Sequence, residues 1–334
     1  MAKFDIASYF SKDTLNRLHN KIIKYYRRND MRTVFAAIGI TVAAYKSASF
    51  FAALYRNFLR PGHNLIERYG RDSWVVITGA SDGIGKAFAI EFAALGFNIV
   101  LIARNKEKLN VVVDEIKKVR PETKTQVVIA DFTQSYEENF YENIYDQIKD
   151  LDISILINNV GLSQYDVLFN TVVPSYLFDL VTVNTAPQTM MSKILIDKFL
   201  KRPQKTAILN LSSLVSDYAF VYDPIYSATK RYNDVQTKVF QAEFGDKIDV
   251  LCVKPGYVST QMNRHRNIDF ITTDTHSYVR SVMRQIGHAK ETYGHWKHDF
   301  KFFLLGYIPR FLVVRKPKPY ADSQKVAENN QTAQ

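Results

Sequence analysis

Six short apolar runs alternate with longer segments of helical character through the middle of this 334-residue chain. The runs are Trp74–Thr78, Asn98–Ile102, Gln126–Ala130, Ile153–Ile157, Ala207–Leu211 and Asp249–Val253. The segments between them, such as Gly85–Leu95 and Lys106–Val119, are long enough for a helix that returns the chain to the same edge of a sheet. The alternation predicts an α/β fold, a Rossmann-type doubly wound parallel sheet with strand order 3-2-1-4-5-6 and right-handed crossovers.

Polar or glycine residues stand directly after each of the six runs. In run order they are Gly79–Gly85, Arg104, Asp131, Asn158–Gly161, Ser213 and Pro255-Gly256. Ligands of doubly wound sheets bind outside the carboxyl ends of the strands. These residues therefore predict one shared site at that edge.

The first of these segments is a glycine-rich loop between a predicted strand and a predicted helix. It reads Thr78-Gly79-Ala80-Ser81-Asp82-Gly83-Ile84-Gly85. Glycines let backbone amides approach a pyrophosphate, and a helix N-terminus favours an anion. The loop indicates a dinucleotide site, and a tight structural turn is the alternative.

Arg104 follows the second run, where the adenosine ribose of a dinucleotide is expected. An acid at this place favours NAD, whereas an arginine suits the 2′-phosphate of NADP. No acid occupies the immediate strand end, so the sequence predicts NADP. The alternative is that Arg104 is solvated and another residue sets the cofactor preference.

Tyr226 and Lys230 are four residues apart, which places both on one face of a helix. Ser212-Ser213 precedes them, and Ser213 stands thirteen residues before Tyr226. Together with the glycine loop and Asn158-Asn159-Val160-Gly161, this order and spacing resembles the short-chain dehydrogenase/reductase family. The resemblance covers about residues 73 to 262.

The resemblance implies roles for four catalytic residues in carbonyl reduction. Tyr226 is expected to be the general acid, and Lys230 to lower its pKa and to hold the nicotinamide ribose. Ser213, with Ser212 as the neighbouring alternative, is expected to hydrogen-bond the substrate oxygen. Asn184 matches the asparagine that supports a proton-relay water.

The resemblance also extends the cofactor site. Asp131 matches the residue that hydrogen-bonds the adenine ring, and the loop after the sixth run matches the segment that contacts the nicotinamide carboxamide. The complete predicted cofactor set is Gly79, Ser81, Asp82, Gly83, Ile84, Gly85, Arg104, Asp131, Asn159, Gly161, Tyr226, Lys230, Pro255, Gly256, Val258 and Thr260.

Val160, where many relatives carry alanine, resembles the branch that contains 17β-hydroxysteroid dehydrogenases and very-long-chain 3-ketoacyl-CoA reductases. This implies a hydrophobic small-molecule substrate, a 3-ketoacyl-CoA of fatty acid elongation first and a 17-ketosteroid second. Leu214 departs from the small residue that commonly follows the catalytic serine. A structural subunit of a membrane complex, which keeps the fold and the cofactor, is the alternative function.

The net charge of +11 is concentrated near the two ends of the chain. Residues 1–32 carry +5, residues 279–318 carry +7, and the remainder is about −1. Basic segments beside apolar stretches suit an anionic membrane surface. No nucleic-acid motif accompanies the charge, so nucleic acid is not expected as a partner. Cys252 is the single cysteine, so we expect no intrachain disulfide and no metal site, and a buried thiol.

Two N-terminal segments indicate membrane attachment or docking. Phe10, Leu15, Leu18, Ile22 and Tyr26 recur at helical spacing opposite basic residues, as in a basic amphipathic helix. Residues 33–55 carry one charge, Lys46, and are long enough to cross a bilayer. A helix packed on the domain or on another subunit is the alternative.

The chain thus divides into a membrane or docking region (1–60), an NADP-binding catalytic domain (70–262) and a lid with a basic aromatic, amphipathic tail (263–334). The tail centres on residues 300–314. Four arginines in the last part are candidates for binding CoA phosphates: Arg264, Arg266, Arg280 and Arg284. The resemblance favours the endoplasmic reticulum membrane, a mitochondrial membrane is the alternative, and homo-oligomers or complex partners are both compatible.

Overall fold

A computed structural model describes residues 11–28, 31–163, 168–217, 222–263 and 267–305 of the protein. The chain forms two compact units, Met1–Leu59 and Arg60–Gln334. Arg264, Arg266, Phe10 and residues 306–314 of the predicted tail lie outside the described residues.

The described part of the N-terminal unit, residues 11–28 and 31–59, consists of two helices. Helix α1 spans Lys12–Arg28, and helix α2 spans Met31–Leu54 and continues through a π-helical turn at Tyr55–Leu59. Both helices predicted from the sequence are therefore present. Leu18 and Ile22 of α1 are exposed, and no residue of α2 is buried.

The second unit is built on a seven-stranded sheet in the order β3-β2-β1-β4-β5-β6-β9, and every pairing in it is parallel. Its first six strands are β1 Trp74–Thr78, β2 Asn98–Ala103, β3 Thr125–Ile129, β4 Ile153–Asn158, β5 Thr206–Leu211 and β6 Ile248–Val253. The helices are α3 Leu65–Tyr69, α4 Gly83–Leu95, α5 Lys106–Val119, α6 Phe140–Ile148, α7 Pro174–Lys201, α8 Pro224–Phe244, α9 Thr275–Met283 and α10 Trp296–Leu305. The predicted fold class and strand order are confirmed.

Three further short strands extend this framework. β7 (Tyr257–Val258) pairs with β8 (Thr272–Thr273), and β9 (Glu291–Thr292) joins the main sheet beside β6. Two-residue strands are too short to show an alternation of apolar and polar residues, so hydrophobic patterning does not predict them. Helix α9 also contributes Tyr278 and Val279 to the core. Part of the segment predicted as a lid thus belongs to the sheet and its core.

The sheet is covered on both faces. In β1, Val75 and Ile77 face the core beneath α4, α5 and α9, whereas Val76 faces the core beneath α6 and α7. All three side chains are fully buried. Burial on both faces explains why the strands are continuous apolar runs. It also leaves the strand ends as the place where polar side chains can gather.

A buried charge cluster lies at the β6 and β9 side of the sheet. Lys254 follows β6 and is buried, and its Nζ lies 2.9 Å from Asp217, 2.9 Å from Asp234 and 3.0 Å from Glu291. Burial alone would lower the pKa of Lys254, but the hydrogen bonds and the carboxylate charges raise it. The cluster joins the turn after β5, helix α8 and strand β9.

Asp234 is the fully buried acid of this cluster. It accepts a hydrogen bond from Ser216 at 2.8 Å and one from the Cys252 thiol at 3.3 Å. Burial alone would raise the pKa of Asp234, yet its hydrogen bonds and Lys254 hold it below the usual value. The predicted burial of Cys252 is confirmed, in contact with this carboxylate.

Replacing Lys254→Ala should lower the free energy of unfolding by about 3–5 kcal/mol, because Asp234 is left buried without its nearest cation and the half-exposed Arg231, at 3.5 Å, compensates it poorly. Denaturant unfolding of the detergent-solubilised chain, followed by fluorescence of Trp74 and Trp296, measures this.

Lys238→Ala is the matched control, because Lys238 also faces Glu291, but at 3.9 Å and with its side chain 55% exposed. We expect a change within about 0.5 kcal/mol for this control. Equal effects of the two substitutions would contradict a structural role for the buried cluster.

Candidate active site

The glycine-rich loop packs closely against the end of β4. Gly79 has a φ of +65°, and a Cβ there would lie 2.9 Å from Cα of Val160. A Cβ on Gly85 would lie 2.3 Å from the Gly79 carbonyl oxygen. Helix α4 begins at Gly83, whose amide donates to the Asp82 carboxylate at 2.6 Å. Glycine is required at these contacts, and the loop leads into a helix N-terminus of the kind that binds phosphate.

Thr78 and Asn159 hold the loop to β4. The Asn159 side-chain amide donates to the carbonyls of Thr78 and Gly79 at 3.0 and 3.1 Å. The buried Thr78 hydroxyl accepts from the amides of Asn159 and Val160 at 3.0 and 3.1 Å. The prediction included Asn159 but missed Thr78, although Thr78 is the first residue of the quoted loop.

The ends of β2 and β3 frame a pocket of about 520 Å³. Arg104, Ile129 and Asp131 line it. The Arg104 side chain is 67% exposed, and its Nη1 lies 3.8 Å from the Asp131 carboxylate. Asp131 also accepts from the amide and hydroxyl of Thr133 at 3.1 and 3.0 Å. The predicted adenosine residues thus meet, with the guanidinium available to a ligand.

The Ser213 and Tyr226 side chains are neighbours, and Ser213 opposes the rise of the tyrosine pKa. Ser213 lies in the turn after β5, and Tyr226 lies in the first turn of α8. The neighbouring Ser212 turns elsewhere, because its hydroxyl donates to the Lys230 carbonyl oxygen at 2.8 Å. The geometry therefore favours Ser213 over Ser212 as the serine that faces a substrate beside Tyr226.

Lys230 lies one helical turn after Tyr226, with its Nζ 5.8 Å from the centre of the tyrosine ring. Its ammonium donates to the Leu211 carbonyl at 3.0 Å, and the side chain is buried. A Cβ on Gly161 would lie 3.3 Å from this Nζ and 3.1 Å from the Asn184 side-chain oxygen. Gly161 thus lies next to the Lys230 ammonium and the Asn184 side chain, where a larger residue would crowd both.

Asn184 connects the β4 end to α8. Its side-chain oxygen accepts from the Leu162 amide at 2.7 Å, and its amide donates to the Leu162 carbonyl and the Thr229 hydroxyl at 3.0 and 3.1 Å. Pro187 within α7 has no backbone N–H, so one hydrogen bond of the helix is missing one turn after Asn184. The visible role of the Asn184 side chain is to hold the site together, and its relay role stays a prediction.

The pKa values of the central pair shift in opposite directions. Burial raises the pKa of Tyr226 to about 12, the hydrogen bond with Ser213 opposes this, and Asp223 adds to it. Burial lowers the pKa of Lys230 to about 8, against smaller upward effects of Asp234 and Cys252. The sequence predicted a lowered pKa for Tyr226. The net shift is upward because burial outweighs the neighbouring groups, and the phenol is therefore fully protonated at neutral pH.

The loop after β6 lies against both the serine turn and the glycine loop. The Pro255 carbonyl accepts from the Leu214 amide at 3.0 Å, so Leu214 is accommodated beside the site. A Cβ on Gly83 would lie 3.1 Å from Cγ2 of Thr260. The amide of Gly256 donates to the ring of His298 in α10 at 3.3 Å. Sequence reasoning missed His298, which lies 42 residues away from its partner.

The two described arginines of the last segment differ in their contacts. Arg280 forms an ion pair with Glu91 at 2.9 Å, whereas Arg284 is exposed and has its backbone close to Gly62. Their role in binding CoA phosphates stays a prediction.

Known proteins resemble this chain over most of its length. The family model described as short chain dehydrogenase matches residues 73–269. "Inactive hydroxysteroid dehydrogenase-like protein 1" of Homo sapiens is 34% identical over 84% of this chain and 87% of its own length. "Very-long-chain 3-oxooacyl-coA reductase let-767" of Caenorhabditis briggsae is 28% identical over 82% of this chain and 88% of its own.

The solved structure of a short-chain dehydrogenase from Sphingobium yanoikuyae in complex with NADPH is also similar. It superimposes with a TM-score of 0.58 at 23% identity, over 74% of this chain and 98% of that one. The sheet order, the glycine loop and the family match agree with one another. The chain therefore belongs to the short chain dehydrogenase family of oxidoreductases.

Proposed function

We propose that this chain is a membrane-associated, NADPH-dependent reductase of a hydrophobic ketone. The observation that carries the proposal is the convergence of Ser213, Tyr226, Lys230 and Asn184 beside the glycine-rich loop. A relative named as a very-long-chain 3-oxoacyl-CoA reductase supports a 3-ketoacyl-CoA as first substrate, reduced to the 3-hydroxyacyl-CoA. A 17-ketosteroid is the second candidate, supported by the hydroxysteroid dehydrogenase-like relatives.

The residues present fit a bound NADP. Contacts with Val160 and within the loop require glycine at Gly79 and Gly85, and the loop leads into the N-terminus of α4, which favours a pyrophosphate. Arg104 supplies an exposed guanidinium for the 2′-phosphate at the pocket beside Asp131. The presence of NADPH in the similar Sphingobium structure supports the same assignment.

A bound NADPH would supply the hydride for the substrate carbonyl carbon. In the proposed reaction, the Tyr226 phenol donates its proton to the carbonyl oxygen, and Ser213 hydrogen-bonds the same oxygen. Because its pKa is about 12, Tyr226 holds this proton throughout the neutral range. The positive charge of Lys230 stabilises the phenolate that remains, and Asn184 fixes the adjacent backbone at Leu162.

The alternative is a structural subunit that keeps the fold and the cofactor. The human relative whose printed name calls it inactive favours this alternative. The complete set of Ser213, Tyr226, Lys230 and Asn184 in this chain supports an active enzyme instead. A scaffold requires the fold, but it does not require a tyrosine, a serine and a buried lysine side by side at the carboxyl edge of the sheet.

Tyr226→Phe should abolish reduction, because it removes the proton donor while leaving the ring and the cofactor contacts. We expect kcat to fall by about 10²–10⁴-fold with NADPH affinity nearly unchanged. The measurement is NADPH oxidation by the detergent-solubilised protein with a long-chain 3-ketoacyl-CoA and, separately, a steroid ketone.

Tyr232→Phe is the matched control, because Tyr232 is on the same helix, is 43% exposed, and hydrogen-bonds Thr189 at 2.7 Å rather than a site residue. Tight NADPH binding by the unsubstituted protein with no turnover of either substrate would support the structural-subunit alternative.

Arg104→Ala should raise KM for NADPH by about 10- to 100-fold and change KM for NADH little, because a charged hydrogen bond to the 2′-phosphate is worth about 1.5–3 kcal/mol. Steady-state kinetics with both cofactors measure the effect. Lys118→Ala, in the last turn of α5, is the control for loss of one positive charge. A parallel rise for both cofactors would show that Arg104 does not read the 2′-phosphate.

The N-terminal unit supports membrane attachment. Met31–Leu59 is a 29-residue helical stretch. Its most apolar 18-residue segment has a mean hydropathy of 1.5, and no residue of that segment is buried. At about 1.5 Å per residue it reaches ~43 Å, enough for a bilayer. Exposed apolar side chains surround it, including Phe35, Ile40 and Phe51. We place the protein in the endoplasmic reticulum membrane, with a mitochondrial membrane as the alternative.

Ile38→Asp together with Val42→Asp should release the protein from membranes, since each central acid costs about 3 kcal/mol on insertion scales. Alkaline carbonate extraction of cell membranes should leave the unsubstituted chain in the pellet and the double variant in the supernatant. Val111→Asp with Val119→Asp places the same charges on exposed positions of α5 and should stay in the pellet. Extraction of the unsubstituted chain would instead indicate a docking helix.

A further inference from the structure

His298 lies in α10, beyond the residues that match the family model, yet it reaches the loop that follows β6. The imidazole is buried, at 1% exposure. Its Nδ1 lies 3.3 Å from the Gly256 amide nitrogen and 3.2 Å from the Tyr293 carbonyl oxygen. Its Nε2 lies 3.2 Å from the Tyr257 carbonyl oxygen. One ring therefore contacts two consecutive residues of the loop.

These partners decide which ring nitrogen carries the proton. The Gly256 amide is a donor, so Nδ1 has to accept from it and is unprotonated. The proton is then on Nε2, which donates to the Tyr257 carbonyl. If the ring took up a second proton, Nδ1 would turn into a donor toward the Tyr293 carbonyl and the Gly256 amide would lose its acceptor. Only the neutral ring holds both loop residues.

Close packing fixes the orientation of the ring. A Cβ on Gly256 would lie 2.7 Å from Cδ2 of His298, so a larger residue in the loop would displace the imidazole. The ring of the buried Tyr278 packs on the other side, with centroids 5.6 Å apart. The imidazole is thus held between α9 and the loop, with its two nitrogens directed at backbone groups.

The loop held by His298 also contacts the site. The Pro255 carbonyl accepts from the amide of Leu214, directly after Ser213, and Thr260 lies against Gly83 of the glycine-rich loop. A displacement of Gly256 is therefore transmitted both to the serine and to the cofactor loop. These are the two parts of the site whose relative position governs hydride transfer.

We propose that His298 is a positioning residue for the nicotinamide end of the cofactor, because it holds the Gly256 amide and the Tyr257 carbonyl from the C-terminal helix. This inference rests on the proposed NADPH-dependent reaction. His298 touches neither substrate nor cofactor in this role. Its effect passes through the backbone of the loop.

Charged and titratable groups surround His298 on each packed element. They are Tyr257 in the loop, Tyr278 in α9, Tyr293 before α10, and His295, Asp299 and Lys301 beside it on its own segment. Burial lowers the pKa of His298 and Lys301 adds to this, whereas the two carbonyls and Asp299 oppose it. The neutral ring therefore persists to below the usual histidine pKa of about 6.5, and it is lost as the pH falls further.

The test compares His298→Asn and His298→Phe with the unsubstituted full chain in detergent. The asparagine side-chain oxygen can take the place of Nδ1 as acceptor for Gly256, and it does not titrate, whereas phenylalanine fills the space without hydrogen bonds. We expect His298→Phe to raise KM for NADPH about tenfold or more at pH 7, and His298→Asn to restore most of it. As the pH falls through the lowered pKa of His298, which is below the usual value of about 6.5, KM for NADPH should rise in the unsubstituted chain and stay flat in His298→Asn.

Tyr278→Phe is the matched control. It contacts the same imidazole and loses a buried hydroxyl that has no hydrogen-bond partner within the described part of the chain, so KM for NADPH should not change. Thermal unfolding of each variant identifies loss of folding. If His298→Phe unfolds, the pH profile of His298→Asn decides.

Two negative results are distinguishable. Binding of NADPH is measured by quenching of the tryptophan fluorescence. Failure of the unsubstituted chain to bind NADPH would overturn the proposed function and this inference with it. NADPH binding by the unsubstituted chain with the same NADPH affinity in His298→Phe, or an acid rise that persists in His298→Asn, would overturn the inference alone. The binding measurement tests His298 even in a chain that has no turnover.

Discussion

Burial of the central sheet on both faces is the constraint on which the rest of the molecule depends. Val75, Val76 and Ile77 of β1 have no exposed surface, although they face opposite layers of helices. A polar side chain inside such a strand needs a buried hydrogen-bond partner, as Ser154 of β4 has in Ser73. Polar groups that are to reach a ligand lie instead at the carboxyl ends, where the glycine loop, Ser213 and the loop after β6 meet. The fold thereby brings residues that are far apart in sequence into one site.

Two buried lysines, one in α8 and one in contact with it, have pKa values shifted in opposite directions. Lys254 is surrounded by Asp217, Asp234 and Glu291, and these partners raise its pKa despite the burial. Lys230 is equally buried but hydrogen-bonds a carbonyl oxygen, and its pKa falls to about 8. A permanently charged lysine with three carboxylate partners contributes to structure. The charge of Lys230 is only partly compensated. It can therefore stabilise a hydroxyl or phenolate beside it, as proton transfer requires.

The sequence was sufficient for those features that have a local pattern. Six strands and their order followed from apolar runs that alternate with helical segments, and Tyr226 and Lys230 from a spacing of one helical turn. Strand β9 was missed because two residues have no periodicity, and the partners of Lys254 were missed because they are distant in sequence. The choice between Ser212 and Ser213 required coordinates, since both hydroxyls are adjacent in sequence and only their hydrogen bonds differ. The upward pKa shift of Tyr226 was missed for a related reason, because burial is a property of the packed structure.

In its proposed role, His298 supports the nicotinamide end of the cofactor from outside the segment that matches the family model. The motifs of residues 73–269 supply the chemistry, but the Gly256 amide has its acceptor in α10. A family motif can therefore be complete in a chain whose cofactor loop is poorly positioned, and the reverse is also possible. This separation bears on relatives named as inactive. The presence of Tyr226 and Lys230 means that the reacting groups exist in this chain. In the proposed reaction, the geometry at which they meet a nicotinamide depends on α10 as well. In the proposed reaction, the activity of this chain then depends on both the sheet edge and α10.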